Sequence, residues 1–84
     1  MSFQIKFSEK STKFLRRLSS DTLNRVKSKF KKLSEDPFRY LEHYEGDDCH
    51  KFRVGGYRAL IDVDFDRNIL FIRVFDKRGR VYKR

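Results

Sequence analysis

The sequence predicts an α+β domain in which an N-terminal strand and a helical hairpin precede an antiparallel three-stranded meander, completing one twisted sheet. Apolar residues alternate with polar ones at the start of the chain, recur at three- and four-residue spacing in the next segment, and alternate again in the last third. A chain of 84 residues can build one hydrophobic core but not two, so residues 1–84 are expected to form a single domain.

The first strand is predicted from Phe3, Ile5 and Phe7, which alternate with Gln4 and Lys6. This period of two is typical of a strand with one buried face.

Two helices are expected next. Ser8 can cap the first helix, which extends to about Leu18, and Ser19-Ser20-Asp21 separates it from the second. In the second helix the apolar residues are Leu23, Val26, Phe30 and Leu33. It should end before Pro37, because a proline restricts the residue before it and cannot continue the hydrogen-bond ladder.

Cations crowd the outer surface of this second helix: Arg25, Lys27, Lys29, Lys31 and Lys32. A charge run on a helix is usually only a solvated face. The alternative is that it steers or docks the protein on an acidic surface.

The meander should begin after a polar connection around Glu45-Gly46-Asp47-Asp48. Gly55-Gly56 predicts a hairpin with a two-residue turn, because glycine tolerates the positive φ that such turns require. A last strand is expected from about Ile69 to Phe75, after an Asp66-Arg67-Asn68 turn.

The charge of the chain indicates a polyanionic partner. Lys and Arg number 21 against 12 Asp and Glu, which gives a net charge of +9. Nucleic acid, an acidic protein or an anionic membrane could balance this excess. The membrane is disfavoured because no apolar run approaches the roughly 18 residues that would span a bilayer. The lone Cys49 fits a reducing compartment, and we expect a soluble, cytoplasmic protein.

A two-residue turn at Gly55-Gly56 places Arg53 directly opposite Arg58, with Lys51 on the same face, away from the helices. Like charges opposed across strands destabilise a sheet by up to about 1 kcal/mol. A bound phosphate would relieve the repulsion and would suit the planar fork of arginine. Alternatively, the arginines extend into solvent or pair with Asp62 or Asp64.

The end of the chain adds Arg78 and Tyr82. They can reach the same face only if the final segment folds back beside the strand that carries Arg58. Tyr82 could instead pack on the sheet, which is the commoner role for a tyrosine near a C-terminus.

Metal and imidazole chemistry are disfavoured. The possible ligands His43, Asp47, Asp48, Cys49 and His50 lack a paired metal-binding spacing. His50 shares the parity of Phe52, so it should face the helices. We therefore expect no metal site and no ribonuclease that uses two histidines as acid and base.

The segments Cys49-His50-Lys51-Phe52-Arg53-Val54-Gly55-Gly56-Tyr57-Arg58 and Lys77-Arg78-Gly79-Arg80-Val81-Tyr82 resemble the RelE branch of the RelE/ParE toxins. These are small proteins of strand, helical hairpin and antiparallel sheet, so the resemblance covers nearly the whole chain in element order. It implies a metal-independent endoribonuclease that cleaves messenger RNA in the ribosomal A site and needs no cofactor. It also implies two partners, a cognate RelB-like antitoxin and the ribosome.

The resemblance assigns the catalytic residues as Lys51, Arg53, Arg58, Arg78 and Tyr82, and the phosphate-binding residues as Lys51, Arg53, Arg58, Arg78 and Arg80. The 2′-hydroxyl would attack the adjacent phosphate and leave a 2′,3′-cyclic phosphate. Tyr82 would be the base if nearby cations such as Lys51 or Arg53 favour its phenolate, and Arg58 would clamp the phosphate. Arg78 would stabilise charge at the leaving group, because arginine is a poor proton donor.

Two other functions stay open. A ParE-like toxin shares the fold and inhibits DNA gyrase by protein contact, without catalysis. A plain RNA-binding module would hold phosphate with the same cations and cut nothing.

Overall fold

The computed structural model describes residues 2–43 and 49–81. In chain order the elements are β1 (Gln4–Phe7), α1 (Glu9–Leu15), α2 (Ser20–Glu35), α3 (Pro37–Tyr40), β2 (Glu42–His43), β3 (His50–Val54), β4 (Tyr57–Asp64), β5 (Ile69–Lys77) and α4 (Arg78–Val81). The strands form one five-stranded sheet in the order β1-β5-β4-β3-β2. β1 runs parallel to β5, and all other pairs are antiparallel, so the predicted α+β fold and meander are confirmed.

The helical hairpin begins as predicted. The Ser8 hydroxyl accepts a hydrogen bond from the backbone N–H of Ser11 at the start of α1, and Ser19 caps α2 in the same way. The first helix is shorter than predicted because Arg17 and Leu18 donate to carbonyls three residues back and close a tighter turn. The second ends at Glu35, before the proline.

The short elements α3, β2 and α4 were not predicted. Pro37 opens α3, since its fixed φ suits the first position of a helix. β2 has two residues, too few to show an alternating pattern. Arg78 begins α4, a single helical turn where only a basic tail segment was expected. The predicted polar connection at 45–48 lies outside the described residues.

The β3–β4 hairpin has the predicted register. Val54 pairs with Tyr57, and Arg53 pairs with Arg58. Gly55 adopts a φ of 57°, a left-handed conformation that a side chain would oppose. β5 continues to Lys77, two residues beyond its predicted end, because Lys77 pairs with Tyr57 on β4.

The hydrophobic core lies between the helices and one face of the sheet. Its buried cluster comprises Val26, Phe30, Leu33, Phe52, Val54, Ala59, Ile61, Leu70, Ile72 and Phe75. The ring of Phe30 contacts those of Phe7, Phe52 and Phe75, with centroids 5.3, 5.4 and 5.5 Å apart. Bulky aromatic side chains therefore supply much of the burial that this short chain needs.

The opposite face, which we call the open face, carries a second, smaller buried cluster of Cys49, Leu60 and Val74. The register between β4 and β5 shifts at Leu60/Ile61, which are opposite Val74 and Ile72. Arg73 is therefore the extra residue of a β-bulge.

No helix in the described ranges is long and apolar enough to cross a membrane.

Candidate functional site

The predicted cations on β3 and β4 lie on the open face. Arg53 is directly opposite Arg58, and Lys51 pairs with Glu42 on one side and Leu60 on the other. Because side chains alternate along a strand, Lys51, Arg53 and Arg58 project away from the core that holds Phe52. The rigid hairpin thus brings three cations to one side of the sheet.

Arg53 has an acidic partner that the sequence did not predict. Its Nε lies 3.0 Å from Oε2 of Glu42, and the two side chains are 60% and 42% exposed. The predicted alternatives, Asp62 and Asp64, instead pair with Arg73 and Arg67. Exposed pairs of this kind contribute about 0 to 1 kcal/mol, so a stronger anion could displace the carboxylate of Glu42.

Arg58 is anchored on the turn beside it. Its Nη1 donates to the carbonyl of Gly55 at 2.9 Å and to that of Tyr57 at 2.8 Å. Its neighbour on β5 is Asp76, whose Oδ1 accepts the N–H of Lys77 at 2.6 Å. Within residues 2–43 and 49–81, Arg58 forms no ion pair, and its Nε and Nη2 donate no hydrogen bond. These groups keep their capacity to bind an anion.

The final segment returns to the hairpin. The backbone N–H of Arg78 donates to the carbonyl of Gly56 at 3.0 Å, directly after β5 pairs with β4. The fold-back that the sequence left open therefore occurs for Arg78. Tyr82 and the side chain of Arg80 lie outside the described residues, so their predicted roles stay predictions.

The sequence did not predict two interactions beside the cations Lys51, Arg53 and Arg58. Glu42 was missed because β2 is too short to give a pattern. The pairing of Arg73 with Asp62 was missed because it depends on the bulge. This pair is bidentate, with Nη2 2.6 Å from Oδ1 and Nε 3.2 Å from Oδ2. It occupies the middle of the open face and separates the basic hairpin from Asp64.

The described residues contain no group of three or more His, Cys, Asp or Glu side chains that could hold a metal ion. His43 and His50 are cross-strand partners with ring centroids 6.2 Å apart. Asp47 and Asp48 lie outside the described residues, and the expectation of metal-independent chemistry stays a prediction.

Comparison with known proteins identifies a family. The family model described as the ParE toxin of the type II toxin–antitoxin system, parDE, matches residues 5–81. No curated protein sequence matches the chain significantly.

Solved structures with the same fold are RelE toxins. The RelBE2 toxin–antitoxin complex of Mycobacterium tuberculosis matches with a TM-score of 0.80 and 25% identity, covering 93% of this chain and 100% of that one. The intact RelBE complex of E. coli matches with a TM-score of 0.76 and 26% identity, covering 94% of this chain and 100% of that one. The isolated E. coli RelE toxin matches with a TM-score of 0.75 and 26% identity, covering 96% and 92%.

The family model spans nearly all of the chain, and the fold built from β1, the helical hairpin and the meander is that of RelE. The chain therefore belongs to the RelE/ParE superfamily of toxins of toxin–antitoxin systems, as a toxin of the RelE type.

Proposed function

We propose that this toxin is a ribosome-dependent endoribonuclease that cleaves messenger RNA in the A site without a metal ion. The observation that carries the proposal is the direct opposition, on the open face, of Arg53, which is exposed, and Arg58, which is half-buried. Opposed cations on a rigid hairpin are costly unless an anion binds between them, and the phosphate of an RNA backbone is such an anion.

The reaction is attack of a 2′-hydroxyl on the adjacent phosphorus, with departure of the 5′-oxygen and formation of a 2′,3′-cyclic phosphate. Arg58 binds a phosphoryl oxygen through its free Nε and Nη2, and stabilises the negative charge that increases in the transition state. Arg53 exchanges Glu42 for the phosphate, and Lys51 adds a third positive charge. Arg78 stabilises the charge on the leaving oxygen.

Tyr82 is the proposed base for the 2′-hydroxyl, in a role that requires cations such as Lys51 or Arg53 to favour its phenolate. An arginine does not release a proton in proteins, so Arg53, Arg58 and Arg78 act by charge and not by proton transfer. A site with so few acid–base groups depends on exact alignment of the attacking oxygen. The ribosome would provide that alignment by holding the messenger in the A site, in the cytoplasm.

The second proposed partner is a cognate, RelB-like antitoxin. Structures of related toxins are complexes with RelB antitoxins, and a chain of net charge +9 suits an acidic partner. The rings of Phe38 and Phe65 are 66% and 57% exposed and stack on each other with centroids 5.8 Å apart. These rings would supply an apolar part of the interface.

The test is cleavage of messenger RNA on programmed ribosomes with EDTA present. Arg58→Ala should lower the rate by about 10² to 10³, as expected when one group that stabilises the transition state is removed, and Tyr82→Phe should lower it strongly. Arg67→Ala, an exposed arginine on the β4–β5 turn, is the matched control and should cleave normally. Absence of A-site cleavage by the intact protein would overturn the proposal.

A second candidate function is inhibition of DNA gyrase by protein contact, without catalysis. The observation that favours it is that the matching family model is the ParE toxin. A supercoiling assay separates the two functions. Inhibition of gyrase by both the intact protein and Arg58→Ala, with no cleavage on ribosomes, would establish the gyrase function.

A further inference from the structure

Two cavities border the Gly55-Gly56 turn and share Gly56 and Tyr57. The first, of about 350 Å³, lies between the turn and α2, and is lined by Thr22, Arg25, Val26, Lys29, Val54, Gly55, Gly56 and Tyr57. The second, of about 510 Å³, lies between the turn and the end of β5, and is lined by Gly56, Tyr57, Lys77, Arg78 and Gly79. No carboxylate lines either one among the described residues, so cations border the turn on both sides.

The first cavity, which we call the α2 cavity, has a cationic rim. Arg25 and Lys29 are four residues apart on α2, and both are exposed. Like charges at this spacing destabilise a helix by about 0.2 to 0.5 kcal/mol. Within the described part of the chain neither forms an ion pair with an acidic side chain, so the rim is available to an anion.

The floor of the α2 cavity is apolar. It is formed by Val26 and Val54, which are buried, and by the half-buried ring of Tyr57. Single-stranded RNA binds where a positive charge meets the phosphate and an aromatic or apolar surface meets the base. An acidic peptide would use the cations but would leave the aromatic floor without a planar partner.

The cavity borders the turn on which Arg58 is anchored. The Arg58 guanidinium donates to the carbonyl of Gly55, and Gly55 is one of the residues that line the cavity. A Cβ added at Gly55 or Gly56 would meet nothing within 4 Å, so the path across the turn is open. A nucleic acid strand can therefore pass from Arg58 over two residues without side chains to Arg25 and Lys29.

We infer that the α2 cavity binds a nucleotide of the RNA strand flanking the one that is cut, with its phosphate between Arg25 and Lys29 and its base against Tyr57. This rests on the proposed function, since it assumes that the scissile phosphate lies at Arg58. Four of the exposed cations of α2 thus divide into two sets. Arg25 and Lys29 face the turn and bind RNA, while Lys27 and Lys31 line a separate groove with Ile5 and Phe7.

The test compares an uncleavable 2′-O-methyl dinucleotide, whose single phosphate cannot lie at Arg58 and between Arg25 and Lys29 at once, with a heptanucleotide that carries several phosphates. Binding is measured by fluorescence anisotropy over a range of salt concentrations. The double variant Arg25→Ala/Lys29→Ala should bind the heptanucleotide about tenfold more weakly, as expected for the loss of charge-assisted contacts. For this variant the slope of log affinity against log salt concentration should become shallower by about 0.7 for each phosphate contact that is lost, whereas its dinucleotide affinity should change less than about twofold.

Lys27→Ala/Lys31→Ala is the matched control, with the same helix, spacing and charge loss, and should bind both probes as the intact protein does. An equal loss for both probes, or an equal loss in the control, would overturn the inference, since it would reflect net charge alone. Unchanged heptanucleotide binding would also overturn it and would leave an acidic protein segment as the occupant. The double variant Arg25→Ala/Lys29→Ala could lose affinity for the longer probe alone while the intact protein never cleaves RNA on ribosomes. That result would support RNA binding in the α2 cavity and would show that the proposed nuclease function is wrong.

Discussion

The two faces of the sheet are built for different tasks. The face beneath the helices packs apolar side chains around Phe30, whereas the open face surrounds a small buried cluster with charged side chains, among them the exposed pair of Arg53 and Glu42 and the bidentate pair of Arg73 and Asp62. Stability depends on burial at the first face, and the proposed cleavage depends on charge at the second. Substitutions at the two faces should therefore have different consequences.

The largest effect is expected at Phe30, which contacts three other aromatic rings in the main core. Phe30→Ala should lower the free energy of unfolding by about 3 to 5 kcal/mol, a large part of the total for a small domain. Urea denaturation followed by circular dichroism measures the change, with Phe30→Leu as the milder control. A loss below about 1 kcal/mol would mean that the aromatic cluster does not hold the fold together.

Leucines on the two faces allow a direct comparison. Leu33 and Leu60 are both almost completely buried, but Leu33 lies in the main core and Leu60 lies in the cluster with Cys49 and Val74. We expect Leu33→Ala to destabilise by about 3 to 4 kcal/mol and Leu60→Ala by about 2 kcal/mol, because the smaller cluster can relax more easily around a cavity. Equal losses in urea denaturation would show that both faces contribute equally to stability.

A smaller effect is expected where α1 joins the sheet. The Ser8 hydroxyl caps α1 and donates to the carbonyl of Arg73 on β5 at 2.8 Å. The Ser19 hydroxyl caps α2 through the backbone N–H of Thr22 and, in the part of the chain that the structure describes, has one further hydrogen bond, to the hydroxyl of Thr22. Ser8→Ala should cost about 1 to 2 kcal/mol and Ser19→Ala about 0.5 to 1 kcal/mol. Thermal unfolding of both variants tests the order, and a larger loss at Ser19 would contradict the role of Ser8 as a link to β5.

The smallest effect is expected for the ion pair of Arg53 and Glu42. A double-mutant cycle with Arg53→Ala and Glu42→Gln should give a coupling energy below about 1 kcal/mol, because both groups are exposed. Glu42→Gln should also tighten the binding of a single-stranded RNA probe, since it frees Arg53. A coupling above about 2 kcal/mol, with unchanged RNA binding, would make the pair a structural element of the hairpin.

For the hairpin that carries Arg53 and Arg58, the sequence predicted the turn, the face of each side chain and the cross-strand pairs. Alternation assigns each side chain to a face, and a two-residue turn determines which residues are opposite each other. Both signals are local, so neither depends on the rest of the chain. Local signals also predicted the helix cap at Ser8 and the end of α2 before Pro37.

The surroundings of that hairpin could not be predicted. β2 is too short for a period of two, so Glu42 was not expected beside Arg53. The bulge at Arg73 changes the register of β5. The apolar residues of this strand run consecutively from Ile69 to Ile72 and again at Val74 and Phe75, so no period of two exists there that a bulge could visibly interrupt. The pairing of Arg73 with Asp62 therefore appears only in the folded chain.

The sequence by itself determined the four longer strands, the two main helices, their buried faces and the opposition of two arginines, because hydrophobic period and turn length act between near neighbours. Only the tertiary structure decided that β1 lies beside β5, that Arg78 returns to Gly56, and that Arg25 and Lys29 on α2 face the same turn as Arg58. Periodicity states which side of an element is buried but not which element buries it. The partners of a charged side chain depend on which elements pack together, and residues far apart in the sequence determine that packing.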